Sequence, residues 1–171
     1  MPLSPQHLIH PFAPVWDGQS RVLVLGTFPS VQSRKNAFYY GHPQNRFWRV
    51  LAALFCAPVP DTTEQKRALL LMHRVALWDV LASCEITGSA DSAIRHPVPN
   101  NIAELLAGAP ITAIFANGQP ASRLYRLHVL PSTGVEAITL PSTSPANAAW
   151  SLSKLIEAWQ PVSDALQQSQ G

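Results

Sequence analysis

The sequence predicts an α/β protein, a three-layer α/β/α sandwich around a central, mostly parallel sheet of four to five strands. The apolar runs Arg21–Leu25 and Ile111–Ala116 have the composition of strands buried on both faces, and Glu136–Leu140 is predicted as a third strand. Each run stops at Gly, Asn or Pro and precedes a segment with helical spacing of apolar residues. Strands that alternate with helices are typical of a parallel sheet.

The first half of the chain has clear local signals. Residues 1–19 are rich in Pro and polar residues and are predicted to wrap the surface. An apolar stripe over 47–55 predicts a helix that Asn45 could cap and that ends before Pro58. A second helix is predicted from Asp61 or Thr62 to about His73.

The second half is assigned by the same signals. We predict a strand or turn region over Val75–Leu81 and a polar loop over 88–94. Helices are predicted over Asn101–Ala107, Ala121–Leu127 and Ala148–Trp159, followed by a flexible tail over 161–171. The whole chain of 171 residues is predicted to be one domain, since this length suffices for a single hydrophobic core.

Composition limits the class of protein. The chain is 47% apolar and 13% charged, as in ordinary globular domains, and its net charge of +2 permits a nucleic-acid partner without requiring one. No apolar run is long enough to cross a membrane, and no leader segment opens the chain, so we expect a cytoplasmic monomer.

No cofactor or metal is expected. The two cysteines, Cys56 and Cys84, lack the paired spacing of zinc or iron–sulfur ligands, and the histidines are scattered. The dinucleotide fingerprint and the P-loop are both missing from the sequence.

The candidate site lies where the predicted strands end. Loops with Gly, Pro and small hydroxyl residues follow Leu25, Ala116 and Leu140. Ligands bind beyond the carboxyl ends of parallel strands, so these three loops are predicted to meet at one edge of the sheet.

Three ordered motifs carry a resemblance to a known family. They are Gly26-Thr27-Phe28-Pro29-Ser30, His42-Pro43-Gln44-Asn45-Arg46-Phe47-Trp48 and Leu140-Pro141-Ser142-Thr143-Ser144-Pro145-Ala146-Asn147. Together they resemble the uracil-DNA glycosylase superfamily, most closely its hypoxanthine-DNA (deoxyinosine) glycosylase branch, over about residues 20 to 160. The resemblance implies an enzyme of DNA base-excision repair. Such an enzyme flips a deaminated base, here hypoxanthine, out of double-stranded DNA and hydrolyses its N-glycosidic bond.

The resemblance assigns catalysis to Asn45. Phe28 stands where the wider superfamily commonly has a polar residue that positions water, and the hypoxanthine branch shares this apolar replacement. A carboxamide does not titrate near neutral pH, so Asn45 is expected to hold the attacking water through its oxygen and to stabilise developing charge. A helix cap is the structural alternative for this residue, and both roles can coexist.

Other positions are assigned to the base and to the DNA strand. The predicted base-binding residues are Gly26, Thr27, Phe28, Phe38, Tyr40, His42 and Asn117, although Phe38 could equally belong to the core and Asn117 could equally serve as a turn residue. The predicted DNA-binding residues are Ser30, Ser142, Thr143, Ser144, Pro145, Ala146 and Asn147. Their hydroxyl and backbone N–H groups suit phosphate oxygens. Pro145–Asn147 would fill the space that the flipped base leaves in the duplex.

The sequence leaves two other functions open. The same pocket could serve a mismatch-specific uracil/thymine-DNA glycosylase, although Phe28 argues against it. The chain could also be a catalytically weak DNA-binding module that kept the fold. A serine hydrolase is disfavoured because no Gly-x-Ser-x-Gly elbow occurs.

Overall fold

The computed structural model describes residues 6–36, 38–86 and 94–168. The polar loop predicted over 88–94 therefore falls outside the described residues except at its last position. In chain order, the elements are β1 (Gln6–Ile9), β2 (Val22–Gly26), α1 (Val31–Asn36), α2 (Phe47–Leu54), α3 (Thr63–Met72), β3 (Val75–Asp79), β4 (Leu81–Ile86), β5 (Ile94–Pro99), α4 (Ile102–Gly108), β6 (Ala113–Asn117), α5 (Gln119–His128), α6 (Leu130–Thr133), β7 (Ala137–Leu140), α7 (Leu152–Ala158) and α8 (Gln160–Gln168).

The central sheet contains four parallel strands in the order β3-β2-β6-β7. Its register places Gly26 beside Asp79 and places Asn117 beside Leu140. The carboxyl ends of all four strands therefore meet at one edge. This arrangement confirms the predicted parallel α/β sheet.

Alternate residues of β2 enter two different cores. Val22 and Val24 pack with residues of α2, α3, α7 and α8, whereas Leu23 and Leu25 pack with residues of α4 and α5. All four side chains are fully buried. A strand covered on both faces accounts for the uninterrupted apolar run, and the three predicted layers are present.

A second sheet was not predicted from the sequence. It is antiparallel, with the order β1-β4-β5, and β1 lies within the segment predicted only to wrap the surface. The sequence predicted a single strand or turn region over 75–81. The structure has two strands there, because β3 ends at Asp79 in the parallel sheet and β4 begins at Leu81 in the antiparallel sheet. The chain changes sheets at Val80, whose N–H donates to the carbonyl of Gly26.

Two predictions near the C-terminus are wrong. The last predicted helix begins at Leu152 rather than Ala148, because Ser151 caps it by accepting a hydrogen bond from the N–H of Lys154. The segment predicted as a flexible tail contains α8 up to Gln168, because Val162 and Leu166 recur at helical spacing and are buried in the core.

None of the helices in the described part of the chain is long and apolar enough to span a bilayer.

Candidate active site

A cavity of about 430 Å³ opens at the carboxyl edge of the parallel sheet. It lies where β2, β3 and β6 end and where the loop after β7 begins, so its walls come from segments far apart in sequence. The predicted site residues that line it are Gly26, Thr27, Phe28, Ser30, Tyr40, Asn45, Asn117, Ser142, Thr143, Ser144 and Ala146.

Asn45 is held by its side-chain oxygen. Oδ1 accepts a 3.0 Å hydrogen bond from the N–H of Phe47, in the first turn of α2, and a 2.9 Å hydrogen bond from the hydroxyl of Thr143. A carboxamide oxygen has two lone pairs, and both are used here. Asn45 therefore supports the start of α2 and lines the cavity, as the sequence allowed.

Thr143 is fully buried between two asparagines. Its hydroxyl accepts a 3.0 Å hydrogen bond from Nδ2 of Asn117, and its own N–H donates to Oδ1 of Asn117 at 3.1 Å. Because its hydroxyl proton is then directed to Asn45, the network fixes the orientation of that amide. The Nδ2 group of Asn45 is left without a partner among the described residues.

Arg46 holds the loop that follows β7. Its guanidinium donates hydrogen bonds to the backbone carbonyls of Ser144 at 2.8 Å, Asn147 at 3.1 Å and Trp150, and its backbone N–H donates to the carbonyl of Thr143 at 3.1 Å. This planar group with five N–H donors suits several carbonyls at once. The guanidinium of Arg46 therefore binds the protein's own backbone.

The aromatic side chains divide between cavity and core. Phe28 is half-buried and lines the cavity, and Tyr40 lines it with its ring stacked on Phe47 at a centroid distance of 4.1 Å. Tyr40 has a φ of 52°, a left-handed conformation that is uncommon for a residue other than Gly. Phe38 is instead 4% exposed and stacks on Trp48, in the core.

A buried carboxylate lies at the same edge of the sheet. Asp79 ends β3 and lines the cavity, and its Oδ2 lies 2.9 Å from Nε2 of His10. Burial raises the pKa of Asp79, and the hydrogen bond and charge of His10 oppose the rise. The hydroxyl of Tyr40 is also buried, and desolvation, followed by the charge of Asp79, raises its pKa, while the side chain of Asn117 opposes the rise.

Residues 14–163 match the sequence family described as the uracil DNA glycosylase superfamily. The chain belongs to this superfamily. The match covers every strand and helix that contributes to the cavity.

Three proteins related to this superfamily member are informative. A protein of Methanosarcina acetivorans named hypoxanthine DNA glycosylase is 34% identical over 153 residues, which cover 88% of this chain and 95% of the relative. A protein of the same name from Methanosarcina barkeri is 31% identical over 138 residues, covering 80% and 86%. The solution NMR structure of a candidate uracil DNA glycosylase from M. acetivorans has a TM-score of 0.76 and 31% identity, covering 91% of this chain and 99% of that structure.

Several residues that the superfamily resemblance assigned to the base or the DNA lie elsewhere. Phe38 is in the core, and His42 is exposed outside the cavity, where its Nδ1 accepts a hydrogen bond from the N–H of Gln44. Thr143 does line the cavity but is fully buried, and its hydroxyl positions Asn45. Pro145 does not line the cavity, and Asn147 lines a neighbouring cavity that shares Ser142 and Ser144 with it.

Sequence reasoning overlooked Asp79 and His10. Asp79 does follow an apolar run, which is the signal used for the other strand ends. It was not recognised because 75–81 was predicted only as a strand or turn region. His10 had no signal of its own, because its position depends on β1 pairing with β4.

The described segments contain no group of three or more His, Cys, Asp or Glu residues that could hold a metal ion. The absence of a metal or cofactor from the reaction stays a prediction.

Proposed function

We propose that this protein is a monofunctional DNA glycosylase that removes hypoxanthine from double-stranded DNA and leaves an abasic site. The superfamily membership, the names of two relatives and the apolar Phe28 beside the cavity support this substrate. The observation that carries the mechanism is the locked amide of Asn45 at a cavity of about 430 Å³, a volume within the range of small-molecule sites.

The base enters the cavity after it is flipped out of the duplex, which costs a few kcal/mol. Phe28 offers a partly exposed ring against which the base can stack, and such stacking offsets about 1–3 kcal/mol of that cost. The face of Tyr40 that meets Phe47 is already covered.

Asn45 acts as a hydrogen-bond donor in this proposal. Its oxygen is occupied by Phe47 and Thr143, so it cannot also hold the attacking water as the sequence led us to expect. Its Nδ2 group donates to the departing base and stabilises the negative charge that develops there as the glycosidic bond breaks. The reaction is then largely dissociative, with water adding to an oxocarbenium-like sugar.

The loop over Ser142–Asn147 contacts the DNA strand beside the flipped nucleotide. Arg46 holds its backbone in place, and Ala146 is exposed at its tip. Neutral hydroxyl and N–H groups here bind phosphate oxygens without a strongly basic surface.

The test is a single-turnover assay with end-labelled duplexes that contain deoxyinosine, deoxyuridine or deoxyxanthosine, followed by alkaline cleavage of abasic sites. Asn45→Ala and Asn45→Asp are compared with the wild type. The aspartate variant keeps an oxygen for Phe47 and Thr143 but has no N–H₂ group. We expect both variants to lose about 100-fold or more of the rate at hypoxanthine.

The outcomes separate the alternatives. Asn45→Asp with wild-type activity would refute the donor role, because a carboxylate is the better group for holding and activating water. Strand breaks mainly at uracil would support the mismatch-specific uracil/thymine reading, and no breaks on any duplex despite tight binding would leave a binding module. Cytoplasmic location and the monomeric state stay predictions.

A further inference from the structure

The proposed mechanism leaves one charged side chain at the cavity without a role. Arg34, in α1, lines the cavity and is partly exposed. Among the described residues, its guanidinium takes part in no ion pair or hydrogen bond, and the carboxylate of Asp79, which also lines the cavity, pairs with His10 instead. Arg34 therefore presents a permanent positive charge and unused N–H donors at the cavity.

Two serines fix the position of α1. The hydroxyl oxygen of Ser30 accepts a 3.2 Å hydrogen bond from the N–H of Ser33, and the hydroxyl oxygen of Ser33 accepts a 2.9 Å hydrogen bond from the N–H of Gly41, next to Tyr40. The N–H of Arg34 donates to the carbonyl of Ser30 at 2.9 Å. The backbone of Arg34 is thus held at the cavity, and its side chain is left to bind a ligand.

Arg34 and the loop over Ser142–Asn147 reach the cavity from different strands. α1 follows β2, whereas the loop follows β7, and β6 lies between these two strands in the sheet. Neighbouring strands are about 4.8 Å apart, so the chain leaves the sheet at two points about 10 Å apart. A DNA strand that places one nucleotide in the cavity passes both segments, with a phosphate on each side of that nucleotide.

The two segments differ in charge. The loop residues that line the cavity are neutral, and the guanidinium of Arg46 is used by the loop backbone. Arg34 is the one Lys or Arg among the described residues that line the cavity. With a net charge of +2, the protein has little general attraction for DNA, so a cation at this point has a large effect on how the strand binds.

We propose that Arg34 binds the phosphate on the α1 side of the flipped nucleotide, away from the loop over Ser142–Asn147. This inference rests on the proposed function and adds to it a DNA-binding residue outside the three sequence motifs. The planar guanidinium fork matches two phosphate oxygens at once. Arg34 holds the damaged strand across the cavity while the base is inside, and it does not contact the base.

The first measurement is the affinity of wild type, Arg34→Ala and Arg34→Lys for a deoxyinosine duplex over a series of salt concentrations. We expect Arg34→Ala to weaken binding about tenfold and to lower the slope of log affinity against log salt by about 0.9, the value for one neutralised phosphate. Arg34→Lys keeps the charge, so it should keep the slope while losing part of the affinity.

The control removes the same charge at a distance from the cavity. Arg126 is exposed in the last turn of α5, about 10 Å along the helix axis from its start at Gln119. Arg126→Ala is expected to keep the affinity and the salt slope of the wild type. The melting temperature of every variant is measured, and Arg34→Ala should keep the wild-type value because its guanidinium has no partner among the described residues.

A neutral phosphate analogue tests the contact directly. A methylphosphonate replaces in turn the phosphate on the 5′ side and the phosphate on the 3′ side of deoxyinosine. We expect one of these two changes to weaken binding by the wild type about tenfold and to have little further effect on Arg34→Ala, because changes to both partners of one contact are not additive. At saturating enzyme, Arg34→Ala should excise hypoxanthine at close to the wild-type rate.

The outcomes are distinct. Additive losses of affinity at both phosphates, or a wild-type salt slope in Arg34→Ala, overturn the phosphate contact. A variant that binds as tightly as the wild type but excises slowly at saturating enzyme also overturns it and places the guanidinium on the base. These results leave the glycosylase activity intact. Absence of hypoxanthine release by the wild type contradicts the proposed function itself, while the duplex affinities still test the contact.

Discussion

The hydroxyl of Thr143 donates a 2.9 Å hydrogen bond to Oδ1 of Asn45 across 98 positions of sequence. Asn117 donates to the same hydroxyl oxygen from the end of β6. Thr143 therefore links Asn117, at the end of β6 in the central sheet, to the side-chain amide of Asn45, which lines the cavity. The orientation of this amide decides whether Asn45 offers an oxygen or an N–H₂ group to the substrate.

Replacing Thr143 with valine tests this network. Valine keeps the branched shape but removes the hydroxyl, so Asn117 loses a partner and Asn45 is free to rotate. We expect the free energy of unfolding to fall by about 1–3 kcal/mol and the excision rate to fall about tenfold. Denaturant unfolding and single-turnover assays measure the two effects. Thr143→Ser, which retains the hydroxyl, should stay close to wild type; a valine variant with the wild-type rate would show that the network does not orient Asn45.

Gly26 is predicted to tolerate no side chain. The Cβ of alanine would stand 2.4 Å from Oδ1 of Asp79, and the carboxylate cannot easily retreat because His10 holds its other oxygen. We expect Gly26→Ala to destabilise the fold by about 1–3 kcal/mol, as overpacking does, and to impair excision of hypoxanthine. Gly18→Ala is the matched control, since nothing lies within 4 Å of its added Cβ. Equal melting temperatures and rates for the two variants would contradict the crowding argument.

The sequence predicted the central sheet well because its strands are buried on both faces. Strands such as β2 and β6 are then nearly continuous apolar runs that end abruptly at Gly or Asn. The antiparallel sheet has no comparable pattern. Its outer strands are mostly exposed, and β5 carries two prolines. An edge strand tolerates proline, but proline in a sequence argues against predicting a strand there.

The candidate site was predictable to the same extent as the strands that support it. Residues directly after recognised strands, such as Gly26 and Asn117, do line the cavity. Roles set by tertiary contacts were not predictable. The local spacing of residues does not predict that Thr143 faces inward to Asn45, or that His10 contacts the carboxylate of Asp79, which is 69 positions away.

Arg46 is predicted to be irreplaceable even by lysine. An ammonium group cannot reach the carbonyls of Ser144, Asn147 and Trp150 together, so Arg46→Lys should loosen the loop after β7. We expect hydrogen exchange of the amides over 143–150 to accelerate about tenfold or more, with weaker binding to duplex DNA. Arg49→Lys, an exposed change within α2, is the control. Unchanged exchange in Arg46→Lys would mean that other contacts hold the loop.

The last prediction concerns pH and the cost of burying Asp79. Burial raises the pKa of Asp79 above its usual value near 3.8, despite the opposing effect of His10, so the folded protein binds this proton more tightly than the unfolded chain. The stability due to Asp79 is thus complete below about pH 3.8 and declines as the pH rises through the folded-state pKa.

Asp79→Asn removes that decline because asparagine is neutral at every pH. Relative to wild type, the variant should gain free energy of unfolding from pH 4 toward neutrality. Denaturant unfolding at a series of pH values measures the difference, with Asp164→Asn, at an exposed site in α8, controlling for the change in net charge. A difference that is flat or falls with pH would mean that His10 fully compensates the buried carboxylate.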